Sequence, residues 1–204
     1  MTFAMSKLAA EQGSEGWLRA RLGKVTASRV ADATARTKHG WGLSRQRYMD
    51  QLIHERLHGA PAGAPFLSDA MQWGLKTEDM ARRAYEMHVK VEVRQTGFID
   101  HPRIAGSGAS PDGLVGADGL VEIKCPNTHT HRKTVSRDHV PLRYVKQMQW
   151  QMACTRRKWC DFVSFDPREP ASRQLYVRRF HSDAQISALE QQIIAFLEEL
   201  QRHL

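Results

Sequence analysis

Long apolar runs are missing from this sequence of 204 residues. No stretch approaches the ~18 consecutive apolar residues of a membrane-spanning helix, so no membrane partner is expected. Residues Met1 to Gln12 lack the charged region and long apolar run of a secretory signal, and a cytoplasmic location is expected. Cysteine is scarce. Cys125, Cys154 and Cys160 are odd in number and form no Cys-x-x-Cys pair, which argues against a disulfide framework and a zinc ribbon. They read as reduced, partly buried thiols. Low-complexity segments are absent too. With 41% hydrophobic and 25% charged residues, the composition is that of a globular chain. Its length fits a single domain over 1–204.

What the sequence has in excess is positive charge. Lys and Arg number 30 against 22 Asp and Glu, a net charge of +8. A basic surface attracts polyanions, of which nucleic acid is the commonest in the cytosol. The charge is spread from Lys7 to Arg202, with clusters at Arg19-Arg21-Lys24, Arg36-Lys38, Arg45-Arg47, Arg132-Lys133 and Arg156-Arg157-Lys158. Taken singly, each cluster reads as a solvated face.

The first half predicts helices. Ser14 caps a short one carrying Trp17, Leu18 and Leu22 and ending at Gly23; Thr26 and Ser28 begin another, through Val30 and Ala33. From Ser44, the positions Tyr48, Leu52, Ile53 and Leu57 have helical spacing, with Gly59 as the stop. After a loop over 60–64 and Pro65, a long helix is expected from Ser68 to His88, with Trp73, Met80, Ala81, Ala84 and Tyr85 on its inner face. Val89, Val91 and Val93 then alternate with charged residues as a strand does. Asp118-Gly119 is a tight-turn signal before the strand Leu120 to Ile123. The polar stretch after Pro126 reads as a loop in which His129 and His131 are solvated, as is His139. Pro141 starts a helix through Tyr144, Met148 and Met152. Strands follow at Trp159–Phe165 and Gln174–Phe180. A last helix from Ser182 carries the stripe Ile186, Leu189, Ile193, Phe196, Leu197 and Leu200, expected to pack on the sheet. The pattern is a mixed α/β domain, helices flanking a central, partly antiparallel sheet.

Two short motifs carry chemistry. Pro111-Asp112 and Glu122-Ile123-Lys124 lie ten residues apart across the predicted turn. In a strand, residues i and i+2 project from one face, so Glu122 and Lys124 point together, and the turn folds Asp112 back toward them. Two neighbouring carboxylates repel, and a hard divalent cation resolves the repulsion. Water on such a cation can attack a phosphodiester in line, with Lys124 orienting or deprotonating it or stabilising the phosphate charge. The other reading of the same residues is structural: Asp112 and Asp118 as turn residues before glycine, Glu122 and Lys124 as an exposed pair. These residues alone leave both open.

Ser110-Pro-Asp-Gly-Leu-Val and Gly119-Leu-Val-Glu-Ile-Lys-Cys-Pro126 together resemble the PD-(D/E)xK nuclease core. More narrowly, the chain resembles the family of phage lambda exonuclease and the YqaJ-type viral recombinases. Trp17-Leu-Arg-Ala-Arg-Leu-Gly-Lys-Val-Thr-Ala-Ser28 is similar to that family's N-terminal motif, Trp73-Gly-Leu-Lys-Thr-Glu78 to its helical motif, and Tyr144-Val-Lys-Gln-Met-Gln149 to its Tyr-x-x-Gln-x-Gln helix. Phe165-Asp-Pro167 fits the region after the last core strand.

The resemblance implies a restriction-endonuclease-like α/β fold and a 5′→3′ exonuclease that digests one strand of linear duplex DNA and leaves a 3′ overhang. It implies Asp112 and Glu122 as metal ligands, Ile123 as a ligand through its carbonyl, Lys124 as the catalytic lysine and Glu78 as a further acidic group. Without it, Glu78 reads as a solvated helix charge beside Asp79. Arg21 and Ser28, with Thr26 and Ser110, would bind the 5′-phosphate, and Gln147 would be an active-site residue. Mg²⁺ is the implied metal, with Mn²⁺ as substitute. A ring-shaped homotrimer and a single-strand annealing protein are the implied partners, in a bacterial or phage-infected cell. The rivals are an endonuclease or junction resolvase with the same core, and a non-catalytic DNA-binding protein.

Overall fold

The computed structural model describes residues 11–63 and 68–204. The reading of residues 1–10 and the end of the expected loop at 64 and 65 lie outside the described residues. Helix α1 (Glu15–Arg21) is capped by Ser14, whose hydroxyl accepts from the Trp17 N–H. Strand β1 (Val25–Thr26) leads through a 3₁₀ turn, Ala27–Arg29, into α2 (Val30–Ala33). An exposed hairpin, β2 (Arg36–Thr37) and β3 (Gly40–Trp41), precedes α3 (Leu43–His58). That helix stops at Gly59, which takes the left-handed conformation a helix end favours in glycine. Helix α4 (Asp69–Val89) is capped by Ser68 and closed by Lys90 in the same conformation.

Because α4 continues through Val89, the alternating valines yield only the two-residue strand β4 (Val93–Arg94), shorter than expected. Short strands β5 (Ile99–Asp100), β6 (Ser107–Ala109) and β7 (Gly113–Val115) lead to β8 (Gly119–Lys124). The polar stretch expected as a loop is helix α5 (Thr128–Arg137), with Asn127 as its cap. Its His131 is buried, not solvated: one ring nitrogen meets Ser164 Oγ and the other the Arg173 carbonyl, each at 2.8 Å. Helix α6 (Leu142–Thr155), β9 (Trp159–Phe165), β10 (Leu175–His181) and α7 (Gln185–Gln201) complete the described chain.

The larger sheet has the order β10-β9-β8-β7-β4, antiparallel except for the parallel pair β8 and β9. Parallel neighbours need a crossover, and α5 and α6 supply it. A second sheet, β1-β6-β5, is also mixed. Strand β8 is covered on both sides. Val121 and Ile123 join Ala81 and Tyr85 of α4, whereas Leu120 faces Met148 and Met152 of α6. Met80, expected on the inner face of α4, is half exposed, because small Ala81 and Tyr85 make that contact instead. The stripe of α7 buries Leu189, Ile193, Phe196 and Leu200 against Tyr48, Leu52 and Trp150 of α3 and α6, so this helix packs mainly on helices rather than on the sheet. Only Ile186 of the stripe reaches the cluster beside β9 and β10.

Gly113 permits one close approach that shapes the site. A Cβ there would lie 2.0 Å from Val93 Cγ1, so glycine lets β4 close over β7 directly beside Asp112. The three cysteines are free thiols, with Cys154 and Cys160 buried. Among the described residues no helix is long and apolar enough to cross a membrane.

Candidate active site

The β7–β8 hairpin pairs Gly113 with Val121, which sets Asp112 against the end of β8. The Ile123 N–H donates to Asp112 Oδ2 at 2.6 Å. Glu122 points from the opposite face to Val121, toward α6, and is fully buried. Its carboxylate accepts hydrogen bonds on both oxygens, two on Oε1 and one on Oε2. Oε1 accepts from Lys124 Nζ and, at 2.7 Å, from Gln147 Nε2. Oε2 accepts from Gln151 Nε2 at 2.5 Å. Three donors offset the large cost of burying a carboxylate. The Lys124 ammonium also lies 5.3 Å from the centre of the Tyr144 ring.

The charges are strongly coupled. Burial pushes Asp112 well above the usual carboxylate range and the charge of Glu122 adds to it, against the pull of Lys124 and the Ile123 N–H. Burial works against the charged form of Lys124, but Glu122 and Asp112 outweigh it and hold the ammonium above its ordinary value. Burial raises Glu78 too; Arg82 and Lys124 oppose this and Glu122 reinforces it. Glu78 is neither freely solvated nor in a tight ion pair: it is partly covered, and its nearest cation is Arg82 at 3.8 Å. Asp79 beside it turns outward to Arg82 and Arg83.

These groups share one cavity of about 690 Å³ with the N-terminal residues. Asp112, Glu122, Ile123, Lys124, Glu78 and Gln147 line it, and so do Arg21, Thr26, Ser28 and Ser110. The structure thus brings every sequence-predicted site residue to one place. Arg21 lies over the Trp17 ring, 4.1 Å from its centre, and no carboxylate pairs with it among the described residues. Burial lowers its pKa, partly offset by Tyr48 and Glu55. Thr26 Oγ1 and Ser28 Oγ are 3.3 Å apart. An unpaired guanidinium beside hydroxyls is the chemistry of a phosphate site.

The donor set also fits a hard cation. Carboxylates of Asp112, Glu122 and Glu78 face one cavity, and burial raises Asp112 and Glu78 with the neighbouring Glu122 charge adding to both, a cost that a divalent ion would relieve. No three acidic, histidine or cysteine side chains among the described residues form a ready-made ligand cluster. Water or substrate oxygens would complete the shell, as Mg²⁺ tolerates.

Four contacts escaped the sequence. Gln151 touches Glu122, although its spacing of four from Gln147 put it on the same helix face. Gln149, the second glutamine of the helix motif, instead donates to the His181 carbonyl, away from the site. Trp17 Nε1 donates to Ser110 Oγ, and Gln12 Nε2 to the Pro111 carbonyl, each at 2.8 Å. Nothing local signals such long-range pairs.

Comparison with known proteins bears on the fold and the family. No curated protein sequence matches the chain. An alkaline exonuclease from Laribacter hongkongensis, LHK-Exo, is similar at 50% identity, covering 93% of each chain with a TM-score of 0.86. Its complex with dAMP gives the same values. A phage-related exonuclease from Haemophilus somnus 129PT shares the fold at 14% identity and a TM-score of 0.67, covering 87% of this chain and 92% of its own. The fold is the PD-(D/E)xK type, a central mixed sheet flanked by helices. Residues 16–158 match the YqaJ-like viral recombinase domain, and on that match and the 50% identity the chain belongs to this family.

Proposed function

We propose that this chain is a single-domain, metal-dependent exonuclease that degrades one strand of linear duplex DNA 5′→3′ and leaves 3′ overhangs for annealing. The observation that carries the reading is one cavity uniting the Asp112–Glu122–Lys124 group with Arg21, which pairs with no carboxylate among the described residues, and the hydroxyls of Thr26, Ser28 and Ser110. A relative at 50% identity acts as an exonuclease and is seen with dAMP, the kind of mononucleotide such an enzyme releases.

Asp112, Glu122 and the Ile123 carbonyl, with Glu78 beside them, would hold Mg²⁺ or its substitute Mn²⁺. When bound, the ion supplies an acidified water and neutralises charge at the phosphate. The chain's own groups do the positioning. Lys124 Nζ presents a donor at the reacting phosphate, and Gln147 contacts the phosphate or the attacking water from the cavity wall. Arg21, Thr26, Ser28 and Ser110 take the 5′-phosphate, which fixes the strand end relative to the carboxylates and selects the bond to be cut. The family likeness extends the proposal to a ring-shaped homotrimer, a single-strand annealing protein as partner, and the cytoplasm of a bacterial or phage-infected cell.

The test is a labelled linear duplex with a 5′-phosphate beside the same DNA as a closed circle, at pH 8, with Mg²⁺ or chelator. Mononucleotides from the linear form alone, and only with metal, are expected. Cutting of the circle would place the protein among endonucleases, and no cutting of either would leave a DNA-binding protein.

A further inference from the structure

We infer that Gln151 is a positioning residue for the metal-binding carboxylate, acting with Gln147 as a two-sided amide clamp on Glu122. The inference rests on the nuclease reading above and deepens it. The two glutamines are one helical turn apart on α6, and each donates to a different oxygen of the same carboxylate. Their positions differ in kind. Gln147 lines the cavity, whereas Gln151 is fully buried and does not. Gln151 therefore cannot touch substrate and reaches the chemistry only through Glu122.

The orientation of its amide is set by the carboxylate, which only accepts and so takes the Nε2 side. On the other side, the buried Cys160 thiol lies 3.9 Å from Gln151 Oε1 and equally far from the Asp161 carbonyl, a weak donor compatible with that orientation. The helix also holds the segment: Thr155 Oγ1 donates to the Gln151 carbonyl at 2.8 Å. With one amide at each oxygen, and Lys124 on Oε1 as well, the plane of the carboxylate is fixed. Partners that orient a metal ligand from behind typically change metal affinity or activity by about 10–100-fold when removed.

The test is Mn²⁺ binding in the absence of DNA, followed by electron paramagnetic resonance, for wild type, Gln151→Met and Gln149→Met. Met replaces Gln with similar volume and no donor. Gln149 is the control, buried on the same helix but bonded to His181. Gln151→Met is expected to weaken Mn²⁺ binding by about tenfold or more, and Gln149→Met by less than about twofold. In turnover assays the metal requirement should rise while KM for DNA ends stays unchanged. Should Gln151→Met fail to fold, Gln151→Asn keeps a polar group but falls short of Glu122, and the same loss is expected. Wild-type affinity in a folded Gln151 variant, or an equal loss in Gln149→Met, overturns the inference. Wild-type protein that binds no Mn²⁺ overturns the nuclease reading itself, a distinguishable result.

Discussion

The Trp17 indole donates to the Ser110 hydroxyl at 2.8 Å, a bond that joins residues 93 apart in sequence. It ties α1 to the segment just before Asp112. The same ring lies under the Arg21 guanidinium. Helix α1 has no fully buried residue, so few other contacts hold it in place. One side chain thus supports two of the groups proposed for the 5′-phosphate and couples them to the carboxylate end of the cavity.

Replacing Trp17 by Phe keeps a ring beneath Arg21 and removes the donor. A hydrogen bond of this kind contributes about 1 kcal/mol net, roughly a fivefold effect. The preference for phosphorylated over hydroxyl 5′ ends should fall by about that factor, and further in Arg21→Ala. The ratio of initial rates on the two ends measures it. An unchanged ratio in both variants would remove Arg21 and Trp17 from phosphate recognition.

Asp112 supplies a prediction in which activity and stability move in opposite directions. Its folded pKa is raised by burial and by Glu122. A carboxylate raised in this way favours the fold most below its unfolded value, and that contribution is lost as pH rises through the folded value. At pH 8 without metal, above its unfolded value, the raised carboxyl is a liability to the fold. Asp112→Asn should therefore abolish turnover yet raise the Tm of the metal-free protein by a few degrees. Wild type should gain stability on adding Mg²⁺, and the variant much less. Thermal melts with chelator and with Mg²⁺ decide this. A lower Tm in the metal-free variant would show that the carboxylate is held for structural reasons.

The β7–β8 hairpin was legible because its signals are local. The turn falls over Gly116 to Asp118, with Gly116 in the left-handed conformation and Gly119 already paired to Val115 in β8, slightly before the expected Asp118-Gly119 site, but the two-residue period of a strand still puts Glu122 and Lys124 on one face. The depth of Glu122 was not legible, since its amide partners come from α6, 25 and 29 residues further on. His131 was misread for the same reason: a polar segment becomes a packed helix only because Ser164 and the Arg173 carbonyl meet the imidazole. The inner face of α4 was misphased at Met80, where hydrophobicity suggested burial and the close sheet contact selected Ala81. The role proposed for Arg21 depended on motif likeness, because a single arginine on a short helix carries no signal of its own.

Asp166 tests whether the strand ends behind the site are held by charge. It is fully buried, and Oδ2 accepts from Thr128 Oγ1 while Oδ1 accepts from the Arg168 side chain and backbone. Burial alone would raise its pKa, but the hydrogen bonds from Arg168 and Thr128 outweigh this and bring it down to about 2. A depressed carboxylate stabilises the fold above its unfolded value near 3.8, and the contribution disappears as pH falls through about 2. Asp166→Asn should therefore cost about 2 kcal/mol at neutral pH and show a shallower loss of stability between pH 4 and about 2 than wild type. Denaturant unfolding across that range provides the comparison. The site should feel the change as well. Arg168 also donates to the Pro126 carbonyl, two residues beyond Lys124, and Thr128 begins α5. Loosening this anchor should lower turnover while leaving the preference for a 5′-phosphate intact, because Arg21 and Ser110 are held from the other wall by Trp17. A parallel loss of both would mean that the two walls of the cavity are not independently supported.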